Sequence, residues 1–219
     1  MRPDLSRLSR RGFVGVLASG LVACSTARIA AADPTPTPAQ TEGPFYPDKL
    51  PLDQDNDLLL VKGSTTQAKG VVTHLSGRVL DPHGKPVTGA VVEIWQCDAN
   101  GIYLHTRGGD RAKIDAGFQG FGTCRTGEDG GYRFRTIRPV TYPGRTPHIH
   151  MIVKHGERGL LTTQCYVNGD PGNERDGVLR GLDPSLRKLL MADFAPKAGS
   201  TAGELAAQFD LVLGVTPQS

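Results

Sequence analysis

Tryptophan occurs once in this chain, and aromatic residues make up only 6% of it, so no aromatic ladder for stacking nucleic-acid bases is available. No Cys-x-x-Cys pair is present, which removes a thiolate metal knuckle. No apolar run reaches the ~20 residues of a membrane-spanning helix. An excess of basic charge is also absent from the body of the chain. Arg2, Arg7, Arg10, Arg11 and Arg28 against Asp4 give residues 1–32 a charge of +4, which leaves −1 for the rest of a chain at +3. The body therefore carries no electrostatic footprint for nucleic acid.

The basic start has a different meaning. Arg10 and Arg11 precede the short apolar run Phe13 to Ala23 in "SRRGFVGVLASGLVAC". A basic region followed by a short apolar one is a signal-peptide pattern. The paired arginines resemble the twin-arginine type, which exports folded proteins. "LVAC" resembles a lipobox and would place a lipid anchor on Cys24, whereas "AAAD" (Ala30 to Asp33) offers an ordinary cleavage site. The expectation is an exported protein, periplasmic or extracellular, with residues 1–32 outside the fold. Beyond Cys24 the cysteines are Cys97, Cys124 and Cys165. In an oxidising compartment an odd count permits one disulfide and one free thiol, and the pair stays open.

The mature chain divides into an extended arm over 33–65 and a single domain over 66–219. The arm, "ADPTPTPAQTEGPFYPDKLPLDQDND", has neither helical nor strand period. The domain is rich in short β-branched runs separated by turn signals. "VVTHLSGRVL" and "VVEIW" flank "DPHGKP", and "EDGG" precedes a run in which Tyr132, Phe134 and Thr136 alternate with arginines. "HIHMIVKH", "LLTTQCYV" and "FDLVLGV" add further strands. Helix is confined to "DPSLRKLLMADF", with Asp183 as N-cap and Pro184 in the first turn. The class expected is all-β: a β-sandwich of immunoglobulin or prealbumin type with few short helices.

The chemistry concentrates in "TYPGRTPHIHM", Thr141 to Met151. On a strand, residues two apart share a face, so His148 and His150 present two imidazoles to one point. Alone, that spacing is equally a strand with polar residues on its wet face. Tyr142 lies just upstream, and Tyr103 sits in the turn "DANGIYLH". A tyrosinate is a hard anionic ligand that suits Fe(III) better than Cu(I) or Zn(II). Two tyrosinates and two neutral imidazoles leave a ferric ion one positive charge, which a hydroxide neutralises. Taken singly, each tyrosine also reads as a turn residue with its ring on the core. His74, His83, His105 and His155 have no partner pattern and read as surface or loop residues. Trp95 reads as core.

In combination, "VVEIWQCDANGIYLH", "TYPGRTPHIHMIVKHG" and "LLTTQCYVNGD" resemble the intradiol ring-cleavage dioxygenases, most of all the subunits of protocatechuate 3,4-dioxygenase. The resemblance implies a non-haem Fe(III) held by Tyr103, Tyr142, His148 and His150. It implies catalytic roles for Tyr142, Arg145 and Gln164, with Arg145 also against the substrate. "TEGPFYP" resembles the segment that lines the pocket, which makes Gly43, Pro44 and Tyr46 candidate substrate contacts. The implied partners are a small aromatic 1,2-diol and O2, and the implied product is a cis,cis-muconate. With all four ligands on one chain, a monomer or a homo-oligomer suffices. The span from Tyr142 to His148 is shorter than usual in this family and carries Gly144, so a more open pocket wall is expected. Two rival readings come from other classes. "SGRVLDPHGKPVTGAVVEIW" followed by "TGEDGGYRF" resembles carboxypeptidase regulatory-like domains, which implies a non-catalytic binding module. The His-x-His pair alone also admits a copper or zinc protein.

Overall fold

The computed structural model describes residues 32–217, and the expected signal segment and Cys24 lie outside the described residues. The domain is built on two five-stranded sheets. In the first, β1 (Val72–Leu80) is the hub. From Val72 to Arg78 it pairs antiparallel with all of β4 (Gly131–Ile137). On its other edge it runs parallel to β9 (Leu205–Gln208) and then to β10 (Leu211–Val212). The two-residue β8 (Ala195–Pro196) closes that edge against β9. The second sheet runs β3 (Phe121–Arg125), β2 (Val91–Trp95), β5 (His148–His155), β6 (Arg158–Val167) and β7 (Met191–Ala192).

The all-β sandwich expected from the turn and strand pattern is what forms. Leu75, Val79, Tyr132 and Phe134 of the first sheet meet Val92, Ile94, Ile149, Met151 and Val153 of the second in one buried cluster. Each fully buried side chain of this size contributes ~1.5–3 kcal/mol over leaving it exposed. The second sheet is buried on its outer face too. Trp95, Phe121 and Ile152 form a separate cluster there with Cys97 and Tyr103, and Phe45 and Tyr46 pack against it. Strand β5 is therefore buried on both faces, with His148 and His150 on the outer one and Ile149 and Met151 on the inner.

The arm is extended, as its composition indicates, and it is tied down along its course. Thr37 donates to the Val212 carbonyl (2.9 Å), and Gln40 donates to that of Thr162 (2.8 Å). The Gln164 side-chain amide donates to the Thr41 carbonyl (2.8 Å). Further on, Leu58 is fully buried and Asp57 pairs with Arg135 at 3.0 Å.

Four details differ from the sequence reading. The "DPHGKP" turn, held by Asp81 accepting from the His83 and Lys85 amides (2.8 and 2.9 Å), joins β1 to β2. The turn folds the chain back in a short antiparallel bridge, Leu80 against Pro86 with Val87 N donating to Val79 O (2.9 Å), and the chain then crosses to β2 in the other sheet. "FDLVLGV" contributes only two residues of strand, while "LAAQ" forms β9, which its small apolar residues did not signal. Cys97 and Cys165 are buried and Cys124 is half-buried, and all three are free, so the disulfide that an odd count permitted does not form. The helix expected over "DPSLRKLLMADF" is shorter: α2 covers only Pro184–Arg187, with Asp183 capping Ser185 N (2.8 Å), and a 3-10 turn over Lys188–Leu190 leads into β7. A second short helix, α1 (Gly177–Arg180), precedes it.

Candidate active site

The start of β5 sets the site. His148 and His150 project from one face with their Nε2 atoms 3.1 Å apart. His148 Nδ1 lies 2.6 Å from the Thr146 carbonyl. That carbonyl can only accept, so Nδ1 carries the proton and the Nε2 lone pair faces inward. The His150 ring stacks flat on Trp95, with centroids 4.8 Å apart and planes 10° off parallel. Its Nδ1 is buried with no hydrogen-bond partner among the described residues. Burial, then the positive charge of Arg145, pushes His148 down to about 3. His150 is pushed well below its ordinary value by burial and by His148 and Arg145. Both imidazoles are therefore neutral, and neutral imidazole is the metal-binding form.

The two tyrosines reach the same place from loops. Asp98 accepts from the Asn100 and Ile102 amides (2.8 and 3.0 Å), and this turn delivers Tyr103. The Tyr103 ring lies 5.8 Å from that of His150 and 5.2 Å edge-on to that of Tyr142. The Tyr142 ring is 5.6 Å from that of His148. Tyr103 is buried, and its hydroxyl has no hydrogen-bond partner among the described residues. Desolvation raises Tyr103 well above the ordinary phenol value, and it also raises the half-buried Tyr142, with Arg145 opposing. Both phenols thus keep their protons unless a cation displaces them. The nearby Cys97 thiol is pushed up to about 12 by burial and the Asp98 charge, so it offers no thiolate. Among the described residues no group of three or more His, Cys, Asp or Glu side chains could hold a metal. The four-donor set exists only with the phenols included. One buried, unpartnered phenol and one half-buried phenol beside two convergent neutral imidazoles fit a hard trivalent cation.

Arg145 lies at the edge of this set with every nitrogen engaged. Its Nε donates to Asp176 Oδ2 (2.8 Å). Its Nη2 donates to Gln164 Oε1 (2.6 Å) and Tyr166 Oη (3.2 Å), and Nη1 reaches Tyr142 Oη at 3.4 Å. Asp176 and Tyr166 were not visible in the sequence. Asp176 lies 31 positions from Arg145, and no local signal links the two. Tyr166 shares a face of β6 with Gln164, two residues away, and meets the same Arg145 nitrogen.

The arm residues divide. Gly43 (φ +74°) lies against the His150 ring, where an added Cβ would meet Cε1 at 3.3 Å. Pro44 follows it. Tyr46 turns away: its ring packs edge-on to Trp95 at 5.1 Å and its hydroxyl donates to Glu93 (3.0 Å). It is Phe45, unremarked in the sequence, that stacks on Tyr103 at 5.1 Å and stands edge-on to Tyr142 at 6.1 Å. His105, read as a solvated loop residue, is buried; its Nδ1 accepts the Arg107 amide (2.9 Å) and its ring meets Phe45. Trp95 is core, as expected, and is also the platform under His150. A cleft of about 690 Å³ opens beside Tyr142 and Arg145, walled by Pro143, Gly144, Pro147 and Arg175. An added Cβ at Gly144 would meet nothing within 4 Å, consistent with an open wall.

Residues 41–215 match a family model described as Dioxygenase. The chain is 37% identical over 174 residues to the protocatechuate 3,4-dioxygenase beta chain of Burkholderia cepacia, covering 76% of this chain and 73% of that one. It belongs to the intradiol ring-cleavage dioxygenase family. Catechol 1,2-dioxygenase 1 of Acinetobacter lwoffii is another intradiol dioxygenase in the match, 32% identical over 76% of this chain and 60% of its own length. The match covers 53% of the hydroxyquinol 1,2-dioxygenase of Corynebacterium glutamicum, so the chain spans only part of some longer family members. A solved structure, the dioxygenase domain of a dioxygenase carbohydrate-binding protein fusion from Streptomyces sp. SirexAA-E, superposes with TM-score 0.62. It is 35% identical and covers 83% of this chain and all of that one. The family is one of oxidoreductases, and the non-catalytic module reading has no counterpart among these relatives.

Proposed function

We propose that this chain is an exported, non-haem Fe(III) intradiol dioxygenase. It cleaves a catechol-type ring between the two hydroxyl-bearing carbons, adds both atoms of O2, and gives a cis,cis-muconate. One observation carries the reading: Tyr103, Tyr142, His148 and His150 converge from three separate segments on one buried point, with Arg145 beside them.

These four side chains would hold the iron, which supplies Lewis acidity and a route for the catecholate to donate electron density. The protein residues then have distinct tasks. Tyr103, sealed under Phe45, would be an anionic donor shielded from substrate. Tyr142 is half-buried at the mouth of the cleft, so it is the phenol within reach of a substrate. Its Oη would be placed to take a proton from the diol. Arg145 offers a fixed cation to the charge that develops on the ring, at no cost of reorganisation. Gln164 holds that guanidinium in place and is itself anchored to the arm through Thr41. Gly43 lies against the His150 ring and covers it on that side, while Pro44 is exposed.

The first test is a visible spectrum of the mature protein with metal analysis, before and after anaerobic addition of catechol. A broad tyrosinate charge-transfer band with about one iron per chain, shifting to the red with catechol, supports the reading. A protein that stays colourless after ferric reconstitution overturns it. Export rests on the Arg10–Arg11 signal pattern and on the sense of loading the metal before translocation. A reporter fused to residues 1–40 whose export survives Arg10→Lys/Arg11→Lys sinks the twin-arginine route. Labelling with palmitate, lost in Cys24→Ala, tests the lipid anchor.

A further inference from the structure

We propose that Asp176 is a positioning residue for the reaction, latching both Arg145 and His148 from behind; the proposal rests on the dioxygenase reading above. The carboxylate is fully buried and divides its oxygens between two jobs. Oδ1 accepts the amides of Val178 (3.0 Å) and Leu179 (2.9 Å) and so caps α1. Oδ2 plays no part in that cap. It accepts Arg145 Nε at 2.8 Å and the Thr146 amide at 3.0 Å.

Those two bonds lead to the metal side by separate routes. The Nε bond fixes one edge of the guanidinium, while Gln164 and Tyr166 hold Nη2. Three contacts to a rigid planar fork determine its orientation, and Nη1 is left aimed at Tyr142. The amide bond fixes the Thr146 peptide, whose carbonyl receives His148 Nδ1–H. Outer partners of this kind set ligand tautomer and orientation, and losing one costs about 10–100-fold in affinity or activity.

A capping role alone predicts something different from a latch. Asparagine caps as well as aspartate. In Asp176→Asn one side of the amide must present N–H groups. If the oxygen stays with the cap, the NH2 faces two donors, Arg145 Nε–H and Thr146 N–H. The variant thus keeps the helix and breaks the latch.

The test is a double-mutant cycle of Asp176→Asn with Arg145→Ala on the iron-loaded protein, read by kcat, KM, iron content, melting temperature and the catechol-induced spectral shift. Asp176→Asn is expected to lower kcat and kcat/KM together by about 10–100-fold. Its charge-transfer band should persist with at most a small shift, carried through Thr146 and His148, and its catechol affinity should be retained. In the Arg145→Ala background the same substitution should cost at least about 3-fold less than in wild type, because the guanidinium route is gone and only the Thr146–His148 route remains. Equal losses in both backgrounds, or a loss fully accounted for by lower iron content and melting temperature, overturns the latch and leaves a structural cap. A wild-type protein that holds iron yet converts none of catechol, protocatechuate and hydroxyquinol overturns the dioxygenase reading and this proposal with it. An active wild type with additive losses overturns this proposal alone.

Discussion

At the scale of single residues, Tyr103 is the clearest sign that the site is made for a ligand. A buried hydroxyl without a partner costs about 1–3 kcal/mol. A protein gains nothing from that penalty unless the oxygen is used when something binds. Tyr103→Phe therefore has an expected signature of opposite signs. The metal-free variant should melt no lower than wild type, because the ring still packs on Phe45 and the orphan oxygen is gone. Its ferric affinity should fall at least about 10-fold, and its visible band should lose intensity. Thermal melts of the metal-free forms and a ferric titration check both halves. A variant that melts far below wild type while binding iron normally would make Tyr103 a packing residue. Gly43 offers a second test at this scale. Alanine there meets both a left-handed backbone (φ +74°) and the His150 ring at 3.3 Å. Gly43→Ala should cost about 1 kcal/mol or more in stability and displace His150. Its charge-transfer band should shift without loss of the fold, as read by visible absorption and circular dichroism.

At the scale of elements, the fold depends on the crossing of β1 by the segment between β9 and β10. An added Cβ at Gly77 would lie 1.9 Å from the Phe209 carbonyl oxygen and 2.9 Å from Tyr132 Oη, which itself donates to that carbonyl. Neither backbone nor a buried ring can yield easily. Gly77→Ala is expected to destabilise by about 3 kcal/mol, seen as a lower urea midpoint with an unchanged slope. A shift under 0.5 kcal/mol would show that the crossing is loose. Elements also explain what the sequence displayed. The period of two along "HIHMIVKH" put both imidazoles on one face, because that relation is local to one strand. The same period says which face a side chain takes but not which strand lies next to it. "VVTHLSGRVL" was legible as a strand, while its pairing with β4 and its separation from β2 were not. The donor set was legible because the resemblance carried Tyr103 and Tyr142. Asp176, Tyr166 and Phe45 were not, since each matters through a contact made by tertiary folding and leaves no spacing behind it.

At the scale of the whole molecule, the site and the stability of the domain are linked through protons and metal. His148 is held down at about 3 by burial and Arg145, against an ordinary value of 6.5, and His150 is depressed too. A histidine depressed in the folded state lends its stability in full above pH 6.5. That stability is lost progressively as pH falls towards the folded value, because the unfolded chain takes up protons that the folded one refuses. Burial opposes ionisation of Asp176, but bonds from the Leu179 and Thr146 amides and from Arg145 outweigh it, so its carboxyl is held below the ordinary carboxylate value. Its contribution is lost only below about pH 4. The metal-free domain should therefore lose melting temperature between pH 6.5 and 4.5, before the carboxylates titrate. A His148→Gln/His150→Gln variant should be nearly flat over that window. Bound iron adds a second term. At a thousand times its dissociation constant it stabilises by about 4.1 kcal/mol, or roughly 8–16 °C for a domain of this size. Iron competes with protons for the Tyr103 and Tyr142 oxygens, whose pKa values burial raises, and not for the imidazoles, which are already neutral in the folded protein. The stabilisation by iron should therefore shrink as pH falls, so the iron-loaded melting curve drops more steeply than the metal-free one. Melts with and without chelator at pH 7.5, 6.0 and 5.0 check this. An iron effect constant across that range would mean that the phenols do not bind the metal as tyrosinates.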